Sequence, residues 1–273
     1  MTAFISSFLQ HLLTKRRMSF STLQPVWVGV LILVLTTACS HFGALPLPRD
    51  PAAEKMIDTL KQTNIDLIRF KCVGKISVSG PEQPAESYRS AIAGQLNDHL
   101  RIDLFAPFGG AAGSVASDGK HLFLVMHASG KYYKKRFQNG SLSRFVKMDV
   151  TVGDLLALLV GRIPIEDERI AQSMPLEDTD HSVVGLVDRR GNTRQKIIFD
   201  TDGRPLRALW FDPHGKPMLA LEISGQQIID GFLIPTQVDL SAASGQTVSI
   251  RIERYQANPS LDKTLFVLPP ISS

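Results

Sequence analysis

The sequence lacks the residues and motifs on which several classes of protein depend. Its only cysteines, Cys39 and Cys72, are too few for a disulfide framework or a cysteine-rich zinc site. It has no Gly-x-Ser-x-Gly elbow, no His-Glu-x-x-His motif and no phosphate-binding glycine-rich loop. His121 and His127 would share one face of a strand, but no third ligand is recognisable near them. We therefore expect no catalytic residues, no metal and no cofactor.

Acidic residues are missing from residues 1–38, which contain Lys15, Arg16 and Arg17. The formal charge of the whole chain is +4, but 27 basic residues face 26 acidic ones beyond residue 38. A basic footprint for nucleic-acid phosphates therefore largely disappears, and we expect no nucleic-acid partner. One cluster of Lys and Arg alternating with aromatic residues remains at residues 131–137. It suits either the solvated face of a strand or a patch that meets anionic lipid head groups.

An apolar run, residues 26–35, follows the basic triplet and precedes three small residues and Cys39. The run is too short to span a bilayer core of about 30 Å but suits the apolar region of a signal peptide. This order resembles a bacterial lipoprotein signal, although an ordinary secretory leader or a short anchor helix is the alternative. The resemblance implies that residues 1–38 are a signal peptide and that Cys39 carries a covalent lipid. In that pattern Ser40 after the cysteine implies the outer membrane.

Two helices are predicted in the mature chain, after an extended, proline-containing tether over residues 39–49. Asp50 has the chemistry of an N-cap, and apolar residues including Met56 and Leu60 recur on one side as far as about residue 66. A second helix, with a start like a capping box, is predicted over residues 151–160.

The remainder of the mature chain has the alternating pattern of β-strands. Clusters of Asp, Asn, Pro and Gly near residues 191, 203 and 215 are spaced about 12 residues apart, which predicts three successive hairpins. No linker rich in Pro, Gly or Ser divides the chain, so residues 50–273 are predicted to form one domain. Further strand segments are predicted at residues 70–78, 88–96, 101–104, 121–126, 231–240 and 246–255.

The expected fold is mainly β, with two or three helices. A long antiparallel sheet that curls needs apolar material on its concave side. Only two helices are evident for about ten or eleven strands. We therefore expect incomplete cover and an apolar cavity. The candidate lining residues are Met56, Leu60, Ile92, Leu104, Leu155, Leu156 and Leu159. For the leucines of the second helix, packing in an ordinary core is the alternative.

The segment over residues 104–110, Leu-Phe-Ala-Pro-Phe-Gly-Gly, leads into a strand and then Asp-Gly-Lys at residues 118–120. Together with the later helix at residues 154–161, it resembles the LolB family of outer-membrane lipoproteins. The likeness follows the order of elements over residues 52–269 and is specific over residues 100–165. It implies an unclosed β-barrel with helices as a lid over an apolar cavity.

The resemblance also implies a function. Such proteins receive lipoproteins from a periplasmic carrier and insert them into the outer membrane. An apolar residue that protrudes from the loop at Pro107, Phe108 and Gly109 assists this insertion, and Phe108 occupies its position. A buried anchor under the turn is the other interpretation of Phe108.

The expected protein is a non-enzymatic, lipid-anchored monomer that faces the periplasm at the outer membrane. It would bind acyl chains of a lipoprotein or lipid cargo, with a periplasmic carrier and a membrane surface as partners. One alternative is a non-catalytic structural subunit of an envelope assembly that uses the same fold to bind protein. A lipid hydrolase is a third hypothesis, although no serine has a recognisable activating context.

Overall fold

The computed structural model describes residues 48–107, 109–136, 140–166, 169–175 and 180–270. The predicted signal peptide, Cys39 and all but the last two residues of the tether lie outside these ranges. Phe108 also lies outside them. Among the described residues, no helix has the length and apolar character needed to cross a membrane.

Three α-helices and fifteen β-strands make up the described part of the chain. The helices are α1 (Pro51–Gln62), α2 (Ser143–Val146) and α3 (Val152–Leu159). The strands of the first half are β1 (Arg69–Gly80), β2 (Gln83–Gln95), β3 (His99–Phe105), β4 (Ala111–Asp118), β5 (His121–Met126) and β6 (Lys131–Arg136). Those of the second half are β7 (Ile170–Met174), β8 (Ser182–Val187), β9 (Thr193–Phe199), β10 (Pro205–Phe211), β11 (Pro217–Ile223), β12 (Gln226–Ile229), β13 (Phe232–Pro235), β14 (Gln237–Ala242) and β15 (Thr247–Ala257).

Thirteen strands form one antiparallel sheet in the order β6-β5-β4-β3-β2-β1-β15-β14-β11-β10-β9-β8-β7. The first six strands form a meander, and β15 returns from the end of the chain to pair with β1. The sheet is not closed into a barrel: its two edge strands are β6 and β7. The expected fold class, a large unclosed antiparallel sheet with few helices, is therefore confirmed.

Turn chemistry accounts for the second half of the sheet. The predicted turns near residues 191, 203 and 215 connect β8 to β9, β9 to β10 and β10 to β11. In each turn the first aspartate accepts two backbone N–H bonds, and a glycine adopts positive φ. The prediction of a single strand over residues 231–240 was wrong. The chain breaks at Thr236, and β12 and β13 pair separately as a two-stranded hairpin.

Helix α1 begins as expected and ends at Gln62, before the residue 66 that the sequence suggested. Its N-cap, Asp50, accepts bonds from the backbone N–H groups of Ala52 and Ala53 with one carboxylate oxygen. The other oxygen accepts a bond from the backbone N–H of Ser173 on the edge strand β7. One side chain therefore starts the helix and attaches it to the edge of the sheet.

Helix α3 has the capping box that the sequence indicated. Thr151 accepts a bond from the N–H of Asp154, whose carboxylate accepts one from the N–H of Thr151. The helix packs closely on the sheet at Gly94 in β2. A Cβ there would lie 2.4 Å from the ring of Phe70 and 2.5 Å from Leu156. Only glycine leaves room for these two side chains.

The two faces of the sheet differ in what covers them. The face that we call the core face packs against α1, α3 and the segment before α3, and carries the main hydrophobic core. The opposite, outer face carries a smaller apolar cluster where the C-terminal segment returns across β4 and β5. That cluster consists of Ala116, Phe123, Val125 and Leu268, with Tyr132 packed against it.

Asn64 joins three elements at one end of the core. Its side-chain amide donates to the carbonyls of Val160, after α3, at 2.7 Å and of Leu233, in β13, at 2.8 Å. Its side-chain oxygen accepts from the N–H of Leu233 at 3.0 Å. Gly161 lies against the same site, where a Cβ would be 2.7 Å from the Asn64 amide nitrogen.

We expect Asp50→Ala to destabilise the fold in a pH-dependent way. Bonds from the Ser173 side chain and from the N–H groups of Ala53 and Ser173 lower the pKa of Asp50 from 3.8 to about 2. A lowered folded-state pKa stabilises the protein fully above pH 3.8, and this contribution is lost as the pH falls towards 2. Urea unfolding of the unmodified protein and of Asp50→Ala, at pH 7 and at pH 2, measures this contribution as the difference in their free energies of unfolding. The difference should narrow at pH 2, unlike any difference caused by Asp58→Ala, an exposed position on the same helix.

We expect Asn64→Ala to lower the free energy of unfolding by about 2–3 kcal/mol, since each lost hydrogen bond contributes about 1 kcal/mol net. Urea denaturation measures this change. Asn97→Ala is the matched control, because Asn97 has a similar positive φ but belongs to no such bridge. Equal losses for the two variants would mean that backbone conformation alone, and not the bridge, explains the effect.

Candidate functional site

A cavity of about 170 Å³ lies between the core face of the sheet and the segment that precedes α3. All of its lining residues are apolar. Nine of them lie on strands: Ile76, Val78, Leu100, Ile102, Leu104, Val115, Leu240, Val248 and Ile250. The other five come from the covering segment and the start of α3: Leu142, Val146, Met148, Val150 and Leu155.

Strand register brings the wall of this cavity together. Ile76 and Val78 of β1 pair with Ile250 and Val248 of β15, so their side chains project from the same face of adjacent strands. Ile102 of β3 pairs in the same way with Val115 of β4. Because paired antiparallel residues share a face, alternation in separate strands becomes one continuous apolar wall.

The cover over this wall is residues 140–150, which run from the end of the β6 connection to α3. Its two ends are held together, since the N–H of Leu142 donates to the carbonyl of Val150 and the N–H of Val152 donates to that of Gly140, each at 2.8 Å. The short helix α2 lies inside this loop. The cover therefore spans the cavity as a closed loop that is attached at one end. Four of its own apolar residues line the cavity: Leu142, Val146, Met148 and Val150.

The cavity offers no hydrogen-bond partner to water. An apolar cavity of about 150 Å³ in another protein stays dry and binds benzene. The cavity of this protein, at about 170 Å³, is similar in volume, so it has room for a small apolar group or the end of an acyl chain but not for a whole chain. Burial also affects two ionisable groups elsewhere in the core: it raises the pKa of the Cys72 thiol to about 12 and raises the pKa of the Tyr255 hydroxyl.

A more polar cleft of about 310 Å³ adjoins the cavity, and both are lined by Val150 and Leu240. Trp210 and Leu219 supply apolar surface in the cleft. Its acidic lining residues are Asp149, Asp154 and Glu166. The cavity and the cleft therefore share part of their lining, which is wholly apolar in the cavity and mixed in the cleft.

The predicted lining residues divide into two groups. Leu104 and Leu155 line the cavity. Leu60, Ile92, Leu156 and Leu159 are buried elsewhere in the hydrophobic core, and Met56 packs against it partly buried. The sequence argument missed Val248 and Ile250 of β15, as well as most of the cover. Alternation in β15 was visible in the sequence, but its pairing with β1 was needed to show that these residues meet Ile76.

The loop between β3 and β4 is a tight turn that follows directly from the cavity wall. Leu104 is the last wall residue of β3, and the N–H of Ala106 donates to the carbonyl of Gly110 at 2.8 Å. The N–H of Gly109, at φ +94°, donates to the carbonyl of Ala106. Pro107 and Gly109 are exposed. The role expected for this loop stays a prediction, since Phe108 lies outside the described residues.

A serine, an aspartate and a histidine meet on the outer face without forming a hydrolytic triad. The Ser114 hydroxyl donates to Asp103 at 2.6 Å and lies 3.2 Å from Nε2 of His127. In a triad the carboxylate orients the histidine, which takes the serine proton. Here Asp103 contacts the serine directly and pairs with Arg101, and Ser114 is only 4% exposed. This geometry offers no activated nucleophile to a substrate.

A larger hollow of about 390 Å³ lies on the outer face, between β15, β1, β2, β3 and the C-terminal segment. Charged side chains, among them Lys71, Arg101, Asp103 and Arg254, line it. It therefore suits an acyl chain less well than the smaller, wholly apolar cavity. Within the described ranges, no group of three or more His, Cys, Asp or Glu residues has the arrangement of a metal site.

No model of a known protein family matches the chain, and no curated protein matches it. Solved structures do share its fold. A DUF1329 family protein from Desulfovibrio piger superposes with a TM-score of 0.57 at 14% identity, over 79% of this chain and 96% of that one. A putative outer membrane lipoprotein-sorting protein domain from Vibrio parahaemolyticus gives 0.54 at 12% identity, over 79% and 96%.

A LolA superfamily protein from Nitrosomonas europaea gives a TM-score of 0.53 at 15% identity, over 79% of this chain and 97% of that one. At such identities the likeness concerns the fold alone, and membership of the LolB family in particular stays a prediction. The chain therefore has a LolA-like fold: a large antiparallel sheet, left open, with helices on its core face.

Proposed function

We propose that the protein is a non-enzymatic carrier that shelters part of an acyl chain of a lipoprotein or lipid in its apolar cavity. The observation that carries this proposal is the cavity of about 170 Å³, all of whose lining residues are apolar, beneath the cover at residues 140–150. A core that served packing alone would gain by filling this space, because voids cost stability.

The energetics fit reversible binding. Each methylene moved from water into the cavity contributes about 0.8 kcal/mol. A cavity of this size takes only a few methylenes, and the adjoining cleft covers more of the chain less completely. Affinity would then be moderate, which a carrier requires because its cargo must leave.

The site of action in this proposal is the inner face of the outer membrane. The signal-like residues 1–38, the cysteine at position 39 and the proline-containing segment over residues 39–49 support this proposal. In it, a lipid on Cys39 anchors the protein, which faces the periplasm with residues 50–273 as its binding domain. Two or more acyl chains on the cysteine would anchor it stably. The LolA-like fold supports a role in lipoprotein localisation, with a periplasmic carrier as donor and a monomer as the working unit.

Partly filling the cavity should weaken the binding of an acyl chain. Val248→Phe places a ring on the cavity wall, and we expect it to weaken binding of a fluorescent acylated peptide by about 10-fold, the loss of one to two buried methylenes. Fluorescence titration of the chain from Pro46 onward measures this. Val73→Phe is the matched control, because it adds the same ring to the outer side of β1. Equal affinity for all three proteins would remove the cavity from consideration as the acyl site.

Phe108 should matter for transfer and not for binding. We propose that Phe108 enters the bilayer while cargo is handed over, as the resemblance to the LolB family implies. Burying a phenylalanine side chain contributes about 1.5 kcal/mol or more, so Phe108→Ser should slow transfer of an acylated protein to vesicles by about 10-fold. Affinity for the acylated peptide should be unchanged. A variant without residues 106–109 should behave in the same way. Normal transfer by both variants would instead favour a structural subunit that binds protein and has no need of the loop.

A further inference from the structure

The two edges of the sheet are protected in different ways. At β7, Asp50 accepts a bond from the N–H of Ser173, and α1 packs against the strand. At the other edge, β6 lies exposed along Lys131–Arg136, and only Tyr132 of its six residues is partly buried. Lysine on an exposed edge prevents pairing with other strands, and this is the simplest reason for a basic β6.

The charge around β6 exceeds what edge protection requires. Residues 119–148 contain seven Lys or Arg residues and no Asp or Glu. Of the other residues beyond position 38, 20 are basic and 26 acidic. A region with seven positive charges therefore sits in a domain that is otherwise negative. It comprises β5, the edge strand β6 and residues 140–148 of the cover, where Lys147 is also exposed; the acidic Asp149 follows directly.

An apolar path connects this edge with the cavity. Val115 of the cavity wall pairs with Leu124 of β5, which pairs with Tyr133 of β6, so the three side chains share the core face. Tyr133 is 44% exposed, and Met126 beside it in the same hairpin is 46% exposed. Neighbouring strands lie about 4.8 Å apart, so the path from wall to edge is only about 10 Å long.

Cations project from both faces of the edge strand at which this path ends. Lys131 and Lys135 project from the core face with Tyr133, and Lys134 and Arg136 from the outer face, where Lys134 lies over the ring of Phe123. Charges that spread around an edge suit a broad negative surface better than a single acidic peptide. Tyrosine also favours the boundary between water and lipid, because its ring is apolar and its hydroxyl polar.

We propose that β6, with Lys147 of the cover, docks the protein on a bilayer that carries anionic lipids. Cations near such a surface bind it through electrostatic attraction. Docking in this orientation places the apolar path between the cavity and the bilayer, so that an acyl chain crosses little water. The proposal that this surface docks on a membrane depends only on its charge and exposure. Its role in the transfer of an acyl chain rests on the proposed function.

The test uses the chain from Pro46 onward, which forms one compact unit and lacks both the leader and Cys39. Vesicles of phosphatidylcholine alone are compared with vesicles of phosphatidylcholine mixed with phosphatidylglycerol, in a flotation assay. We expect binding to the mixed vesicles only, and its loss when salt is raised. No binding to mixed vesicles at low salt would overturn the proposal.

A charge-removing variant locates the surface. Each cation near an anionic membrane contributes roughly five-fold in affinity, so replacing Lys131, Lys134, Lys135 and Arg136 by Gln should weaken binding by about 100-fold or more. The control replaces four exposed cations of the other half of the sheet by Gln: Arg190, Arg204, Arg207 and Lys216. It removes the same net charge and should bind nearly as well as the unmodified chain. Equal binding by both variants would mean that the β6 cations protect the edge only.

Measuring the affinity for an acylated peptide distinguishes failure of the docking proposal from failure of the proposed acyl-chain binding. The β6 variant should bind the peptide normally, because none of the four positions lines the cavity. Loss of vesicle binding with peptide binding intact supports docking through β6. If the unmodified chain binds mixed vesicles but no acylated peptide, the docking surface stands and the acyl-chain proposal fails.

Discussion

The structure depends on an imbalance between a large apolar sheet face and the few elements that cover it. Thirteen strands present one continuous core face. Among the described residues, the apolar cover comes from α1, α3, the loop around α2, the segment after α3 and the hairpin of β12 and β13. Such an apolar face contributes to the stability of the fold only where it is removed from water. These elements bury most of it, and what they leave is the cavity under residues 140–150. A closed barrel would leave no open edge, and a fully packed sandwich would leave no such space.

The cover differs from the rest of the core in how it is attached. The β-strands beneath it are held by ladders on both sides, whereas the cover is joined at its base by the bonds between Leu142 and Val150 and between Val152 and Gly140. Its contribution to the core is mainly apolar contact through Leu142, Val146 and Met148. Apolar contacts are non-directional, so an acyl chain can replace them without leaving hydrogen bonds unmade. The same segment is therefore suited both to closing the cavity and to yielding to a ligand.

Local chemistry explains which features could be predicted from the sequence. The N-cap at Asp50, the capping box at Thr151 and the three aspartate turns act over a few residues, so their patterns specify structure directly. The cavity depends on which strands become neighbours. Val248 and Val78 are 170 residues apart and meet only because β15 returns to pair with β1. Leu156 and Leu104 are equally apolar, yet one fills the space near Gly94 and the other borders the void. Hydrophobicity alone could not separate them.

The position of the charged region links the cover and the sheet edge physically. Residues 131–150 run from β6 directly into the cover, so electrostatic attraction at the edge acts on the same stretch of chain that closes the cavity. The acidic lining of the neighbouring cleft, at Asp149, Asp154 and Glu166, would be repelled by the same anionic surface. Attraction at one side and repulsion at the other would orient the domain as well as bind it. An uncharged edge could still adhere to lipid, but it would lose the attraction that draws this side of the cavity towards the membrane.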